Sequence, residues 1–110
     1  MPDRISDLLL TLGIHSTYRG FCYLHYALTL CLQDPDYLMH VFKHLYTDVA
    51  AYFGTTQGNV ERCIRTVIDH CYYHGNRNFL CQIAKYPLLS RPTASEFIDI
   101  LYHYLESLED

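Results

Sequence analysis

The 110-residue chain is half apolar and carries eleven tyrosines, so it is one packed domain that can bury its own core without a metal or a disulfide framework. Its net charge of −4 argues mildly against a nucleic-acid partner, because such domains usually carry a basic surplus. It has no repeat, no low-complexity tract and no apolar run near eighteen residues, which excludes a membrane-spanning helix.

A first helix is predicted over about residues 4–12, with Ile5, Leu8, Leu9 and Leu12 on one stripe and Gly13 ending it. The apolar stretch in "MPDRISDLLLTLGIHS" is short, preceded by acids and without a small-residue cleavage site. It is no signal peptide, and a cytoplasmic location is expected. Ser16 or Thr17 is expected to cap a second helix over about residues 18–33. Phe21, Leu24, Leu28, Cys31 and Leu32 lie on one side of it and Tyr23, Ala27 and Leu30 on another. A helix without a polar face belongs at the centre of a bundle.

"DPDYLMHVFKHL" opens with Asp34 as N-cap and Pro35 at the first helical position, and predicts a third, short helix. "YTDVAAYFG" predicts a fourth, stopped by Gly54, and "TTQGNVERCIRTVIDHCYYHG" a long fifth, stopped by Gly75, with both glycines at left-handed C-caps. "NRNFLCQIAKY" is a weaker helical segment, and Pro87 and Pro92 bracket a loop. The capping box Thr93-x-x-Glu96 starts a last helix with Phe97, Ile98, Leu101, Leu105 and Leu108 facing inward. No segment alternates with the period of a strand. The expected class is all-α, a compact bundle of about six helices forming one domain over residues 1–110, with a helix-turn-helix at about residues 46–74 and no wing.

The turn in "FGTTQGNVERCIRTVIDHC" carries the first functional signal. Two helices that cross steeply over a few residues need a positive φ in the turn and a small side chain at the crossing. Gly54 supplies the first and Ala50 the second; Val49 and Phe53 complete the contact, and Val60 and Cys63 present apolar groups from the partner helix. Val60, Cys63, Ile64, Val67, Ile68 and Cys71 form one stripe of that helix. The opposite face is centred on Gly58, Arg62, Arg65, Asp69 and Tyr73, flanked by Gln57, Asn59, Glu61 and Thr66. These are residue types that read base edges: Arg takes guanine, Asn or Gln takes adenine, Glu takes the cytosine amino group. Thr55 and Thr56 cap the helix start, where a phosphate can also be held. The plain alternative is a solvated helix face with a few arginines. The Ala50, Gly54, Val60 spacing favours the reading head over it, and residues 62–91 hold five basic side chains (Arg62, Arg65, Arg77, Lys85, Arg91) and one acid, Asp69, which suggests one face for a polyanion.

Three segments, "LGIHSTYRGFCYLHYAL", "LYTDVAAYFGTTQGNVERCIRTVIDHCYYHGN" and "RPTASEFIDIL", carry a resemblance that covers nearly the whole chain, with T-T-x-x-x-V-E-R-x-I-R and P-T-x-S-E-F-I as its specific motifs. The sequence resembles the C-terminal effector domain of the stage-zero sporulation response regulator of endospore-forming bacteria. The resemblance implies a six-helix bundle of the response-regulator effector type whose recognition helix enters the major groove. In that family the domain sits behind a phosphorylatable receiver of a two-component phosphorelay, and phosphorylation promotes dimers that bind tandem short boxes and switch sporulation genes. Glu61 matches the family's base-contacting acid, and Arg62 and Arg65 match its basic contacts. Where the family pattern has an arginine that reads guanine, this chain has Asn59, which implies either a different preferred base there, towards adenine, or lower affinity. A receiver domain is absent from this chain, which is then either cut from a longer protein or a free-standing relative.

The expected DNA-binding residues are Thr55, Thr56, Gln57, Asn59, Glu61, Arg62, Arg65 and Thr66, with Lys85 or Arg77 also touching the backbone. The expected partners are double-stranded DNA, a second copy of the chain as a homodimer on it, and RNA polymerase as a further candidate, with no membrane and no small-molecule substrate. No enzyme activity, cofactor or metal is expected. The pairs Cys22/His25, Cys71/His74 and His40/His44 lack a second pair at zinc-finger spacing, and the five cysteines fall in apolar segments as buried reduced thiols do. No phosphate loop, nucleophile elbow or carboxylate pair appears. The competing reading is a protein-interaction module of the same fold that has lost operator binding, using an exposed patch drawn from Tyr18, Tyr23, Tyr26, Tyr102 and Tyr104.

Overall fold

Six α-helices carry the chain: α1 (Arg4–Thr11), α2 (Arg19–Gln33), α3 (Tyr46–Phe53), α4 (Gln57–His74), α5 (Arg77–Ala84) and α6 (Ala94–Ser107). The computed structural model describes residues 3–108, and among these there is no strand. The all-α class expected from the sequence therefore holds. The radius of gyration, 12.8 Å, is close to the about 13 Å of a closed globule of this length.

α2 occupies the centre, as its all-round apolar pattern requires, and packs on α1, α3, α4 and α6. Leu24, Ala27, Leu28 and Cys31 are fully enclosed there. Burying each leucine contributes about 1.5–3 kcal/mol. α2 runs close against α4 at Gly20. A Cβ built on Gly20 would lie 2.4 Å from the Cys63 carbonyl oxygen and 2.7 Å from Val67 Cγ1, so only glycine lets the two backbones meet.

Four local expectations need correction. Neither Ser16 nor Thr17 caps α2, whose N-cap is Tyr18 with no side-chain hydrogen bond. The third helix is no α-helix: Asp34 does cap Pro35–Met39 by accepting from Asp36 N–H, but that turn is 3-10, and His40 breaks it before a π-helical turn, Val41–Leu45, runs into α3. Gly75 has φ −100°, outside the left-handed region. Its role is closeness, since an added Cβ would sit 2.6 Å from the Leu12 carbonyl oxygen and 2.9 Å from the Cys71 Cα, where the ends of α1 and α4 touch. The Asn76 N–H to Leu12 carbonyl bond (3.0 Å) and the Asn76 Nδ2 to Thr11 carbonyl bond (3.2 Å) lock that junction. Finally, Leu108 is 39% exposed because α6 ends at Ser107, whereas Ile100 and Tyr102 join the core.

The start of α1 is tied to α2 by Asp3. Its carboxylate accepts the amides of Ile5 (3.1 Å) and Ser6 (3.3 Å) and meets His25 Nε2 at 2.6 Å. Partial desolvation pushes this carboxyl up, but hydrogen bonds from His25 and Ser6 and the His25 charge outweigh it and hold it at about 2. A carboxylate whose pKa is lower in the folded than in the unfolded chain contributes stability above the unfolded value, and that contribution is lost as the pH falls through the folded one. The Asp3 side chain is 47% exposed, so solvent screening keeps its contribution below about 1 kcal/mol. Urea midpoints of wild type and Asp3→Ala are expected to differ at pH 5 and to converge as the pH approaches 2.

Candidate nucleic-acid interface

α3 and α4 meet through a short turn held by backbone and side-chain hydrogen bonds. Gly54 adopts φ 66°, ψ 39°, the left-handed conformation expected from the sequence. Its N–H bonds the Ala51 carbonyl and that of Thr55 bonds the Ala50 carbonyl at 2.9 Å, so two of the last carbonyls of α3 are satisfied. An added Cβ at Gly54 would meet nothing within 4 Å, so the backbone conformation alone selects glycine. Thr56 then caps α4, its hydroxyl accepting the Asn59 N–H at 3.1 Å. Val49, Ala50 and Val60 are buried at the crossing, while Phe53 is 38% exposed and packs on Tyr23 instead, with ring centroids 5.1 Å apart.

Helical periodicity places Val60, Ile64, Val67, Ile68 and Cys71 in the core, with Cys63 half-buried, and leaves Gly58, Arg62, Arg65 and Thr66 exposed. Arg65 Nη1 lies 3.6 Å from Glu61 Oε1, one helical turn back, in a pair open to water. Such a pair is worth at most about 1 kcal/mol, so Arg65 can exchange it for a phosphate or a base. Thr66 donates its hydroxyl to the Arg62 carbonyl at 3.0 Å. Gln57 turns back and donates to the Phe42 carbonyl, bracing the start of α4 against the segment before α3. An added Cβ at Gly58 would meet no atom within 4 Å, so the backbone of the first turn is open to approach.

Asn59 stands apart. Its Nδ2 donates to Thr55 Oγ1 at 2.9 Å and to the Tyr23 hydroxyl at 3.3 Å, and its Oδ1 accepts from an Arg62 Nη at 2.7 Å. A side chain expected to read a base therefore has its amide engaged within the protein. Tyr23 was not foreseen as part of this site; it lies 36 positions away in sequence, and no local spacing announces the contact.

The five basic residues between positions 62 and 91 are not equally free to meet a polyanion. Arg91 Nε pairs with Asp69, and its other nitrogens donate to the Pro92 and Arg65 carbonyls, clamping the loop before α6 onto α4. Arg77 lies 5.0 Å over the Tyr72 ring, which is ten residues and about 15 Å along the helix from Arg62. Lys85 ends α5 in a left-handed conformation. Only Arg62 and Arg65 share the exposed N-terminal half of α4.

The model of the family described as sporulation initiation factor Spo0A C terminal matches residues 5–105. The chain belongs to this family. Membership in the Spo0A C-terminal family makes it a DNA-binding effector domain of a sporulation regulator, and two helices joined by a tight glycine turn, α3 and α4, fit the helix-turn-helix such a domain uses.

Burial bears on two alternatives in this Spo0A-type fold. Burial pushes the thiols of Cys31 and Cys71 up to about 12, and both are fully enclosed, as core side chains are. Cys22 is exposed, contrary to the expectation that the cysteines are buried, and its neighbour His25 is engaged with Asp3. Tyr23 and Tyr102 are buried and so cannot join a docking patch. Tyr18 is exposed, as expected, and a cluster that was not expected is formed by the exposed Tyr52 and Phe53, with Tyr26 stacked on Tyr52 at 4.0 Å. No described helix is long and apolar enough to cross a membrane.

Proposed function

We propose that α4 enters the major groove and that this domain binds tandem short boxes as a homodimer, regulating transcription in the cytoplasm through contact with RNA polymerase. The observation that carries this reading is the exposed N-terminal half of α4, where Glu61, Arg62, Arg65 and Thr66 project from a helix held at a fixed angle by the Gly54 turn. Arg62, Arg65 and Glu61 contact base edges, and Thr55, Thr56 and Gln57 order the helix start beside the phosphate backbone. A second copy is required because one reading head with two arginines binds weakly: each neutralised phosphate contributes a salt slope of only about 0.9. Linking two weak heads on adjacent boxes multiplies affinity without new contacts.

Selection of bound sequences from a random duplex pool tests this reading. The expected result is enrichment of a short box that recurs at one fixed spacing, with a single box retained poorly. Should no sequence be enriched, the interaction module takes the place of the reading head. The exposed Tyr52 and Phe53 beside Tyr26 are the surface that would then be probed first.

A further inference from the structure

We propose that Asn59 governs DNA recognition indirectly, as a positioning residue that aims Arg62, and that it does not itself read a base. The inference rests on the proposed reading of DNA by α4. An asparagine amide offers two N–H donors and one oxygen with two lone pairs. Here the donors go to Thr55 Oγ1 (2.9 Å) and the Tyr23 hydroxyl (3.3 Å), and the oxygen receives an Arg62 Nη (2.7 Å) and, weakly, the Cys63 thiol (3.7 Å). A base contact by this amide would have to break at least one of these bonds. The network also fixes which way the amide points, because the flipped orientation would set N–H donors against the guanidinium, which has no acceptor to offer.

The chain of contacts runs from core to surface. Tyr23 is 4% exposed, on the central helix α2, and its ring packs against Phe53. Asn59 hangs on that hydroxyl and holds one nitrogen of an otherwise exposed Arg62. An arginine carries five N–H donors in a rigid planar fork, so tethering one nitrogen orients the plane while leaving the other donors for a guanine or a phosphate. Fixing the fork before binding removes an ordering cost that a free arginine would incur in the complex.

A double-mutant cycle tests this, using the box enriched by the wild-type domain and a scrambled duplex of the same length as probes. Asn59→Ala is expected to lower the ratio of box to scrambled affinity about tenfold while leaving scrambled affinity unchanged. In the Arg62→Ala background the same substitution is expected to change nothing further. Tyr23→Phe, which removes a hydroxyl that cannot reach DNA, is expected to lower the ratio about twofold. Asn59→Asp, which keeps an oxygen for Arg62 and can accept from both hydroxyls, is expected to retain discrimination and serves if the alanine variant folds poorly. Equal losses from Asn59→Ala with and without Arg62 would mean direct base contact and would overturn the proposal, as would an unchanged ratio in the single variant. If the wild type shows no preference for any duplex, reading by α4 fails first and this inference with it, an outcome distinct from either.

Discussion

Gly20→Ala is expected to destabilise the domain by about 3 kcal/mol, seen as a fall in Tm of roughly 10–20 °C. Helix propensity alone gives the opposite sign, since alanine is favoured over glycine within a helix by about 0.5–1 kcal/mol. Packing decides the matter. The new Cβ would stand 2.4 Å from the Cys63 carbonyl oxygen and 3.1 Å from its carbon, atoms of the α4 backbone that no rotamer change can move aside. α2 must retreat, and it is the helix on which α1, α3, α4 and α6 all rest. Gly58→Ala is the matched control: its Cβ would meet nothing within 4 Å, so propensity acts alone and stability is expected to rise slightly. Thermal and urea unfolding of the two variants measure both effects, and a Gly20→Ala protein as stable as wild type would mean that α2 and α4 do not cross this closely.

That contrast also marks what could be read from the sequence. The stops at Gly13 and Gly54, the caps at Asp34, Thr56 and Thr93 and the buried stripe from Val60 to Cys71 are local patterns, in which a residue type and its neighbours within one or two turns carry the whole cause. Gly20 and Gly75 were opaque or misread because their reason lies on another helix, at the Cys63 carbonyl and the Leu12 carbonyl. The same limit applies at the candidate site. The exposed face of α4 follows from periodicity, whereas the engagement of Asn59 by Tyr23 and of Arg91 by Asp69 depends on which segments pack together. Charge counted along residues 62–91 does not show which cations are engaged: Arg91 is paired with Asp69, and Arg65 lies within reach of Glu61, just outside the counted segment.

Arg62→Ala and Arg65→Ala are expected to weaken binding to the selected box by about 10- to 100-fold each, the range for losing one good arginine contact to a base. Their effects on other probes sort the two residues by role. A base reader loses affinity for the box and leaves scrambled duplex untouched, whereas a phosphate contact weakens both alike and flattens the salt slope by about one. Arg62, held by Asn59 at 2.7 Å, is pre-aimed and is expected to behave as the base reader. Arg65 is restrained only by Glu61 at 3.6 Å across an open pair and is expected to show the larger phosphate component. Glu61→Gln separates these roles further: releasing Arg65 and removing a charge that repels phosphate should raise affinity for scrambled duplex while lowering discrimination. Both arginine side chains are exposed, so melting temperatures should stay near wild type and loss of binding cannot be ascribed to unfolding. Binding by both alanine variants at wild-type strength would remove α4 as the reading element and leave the interaction module as the function of this fold.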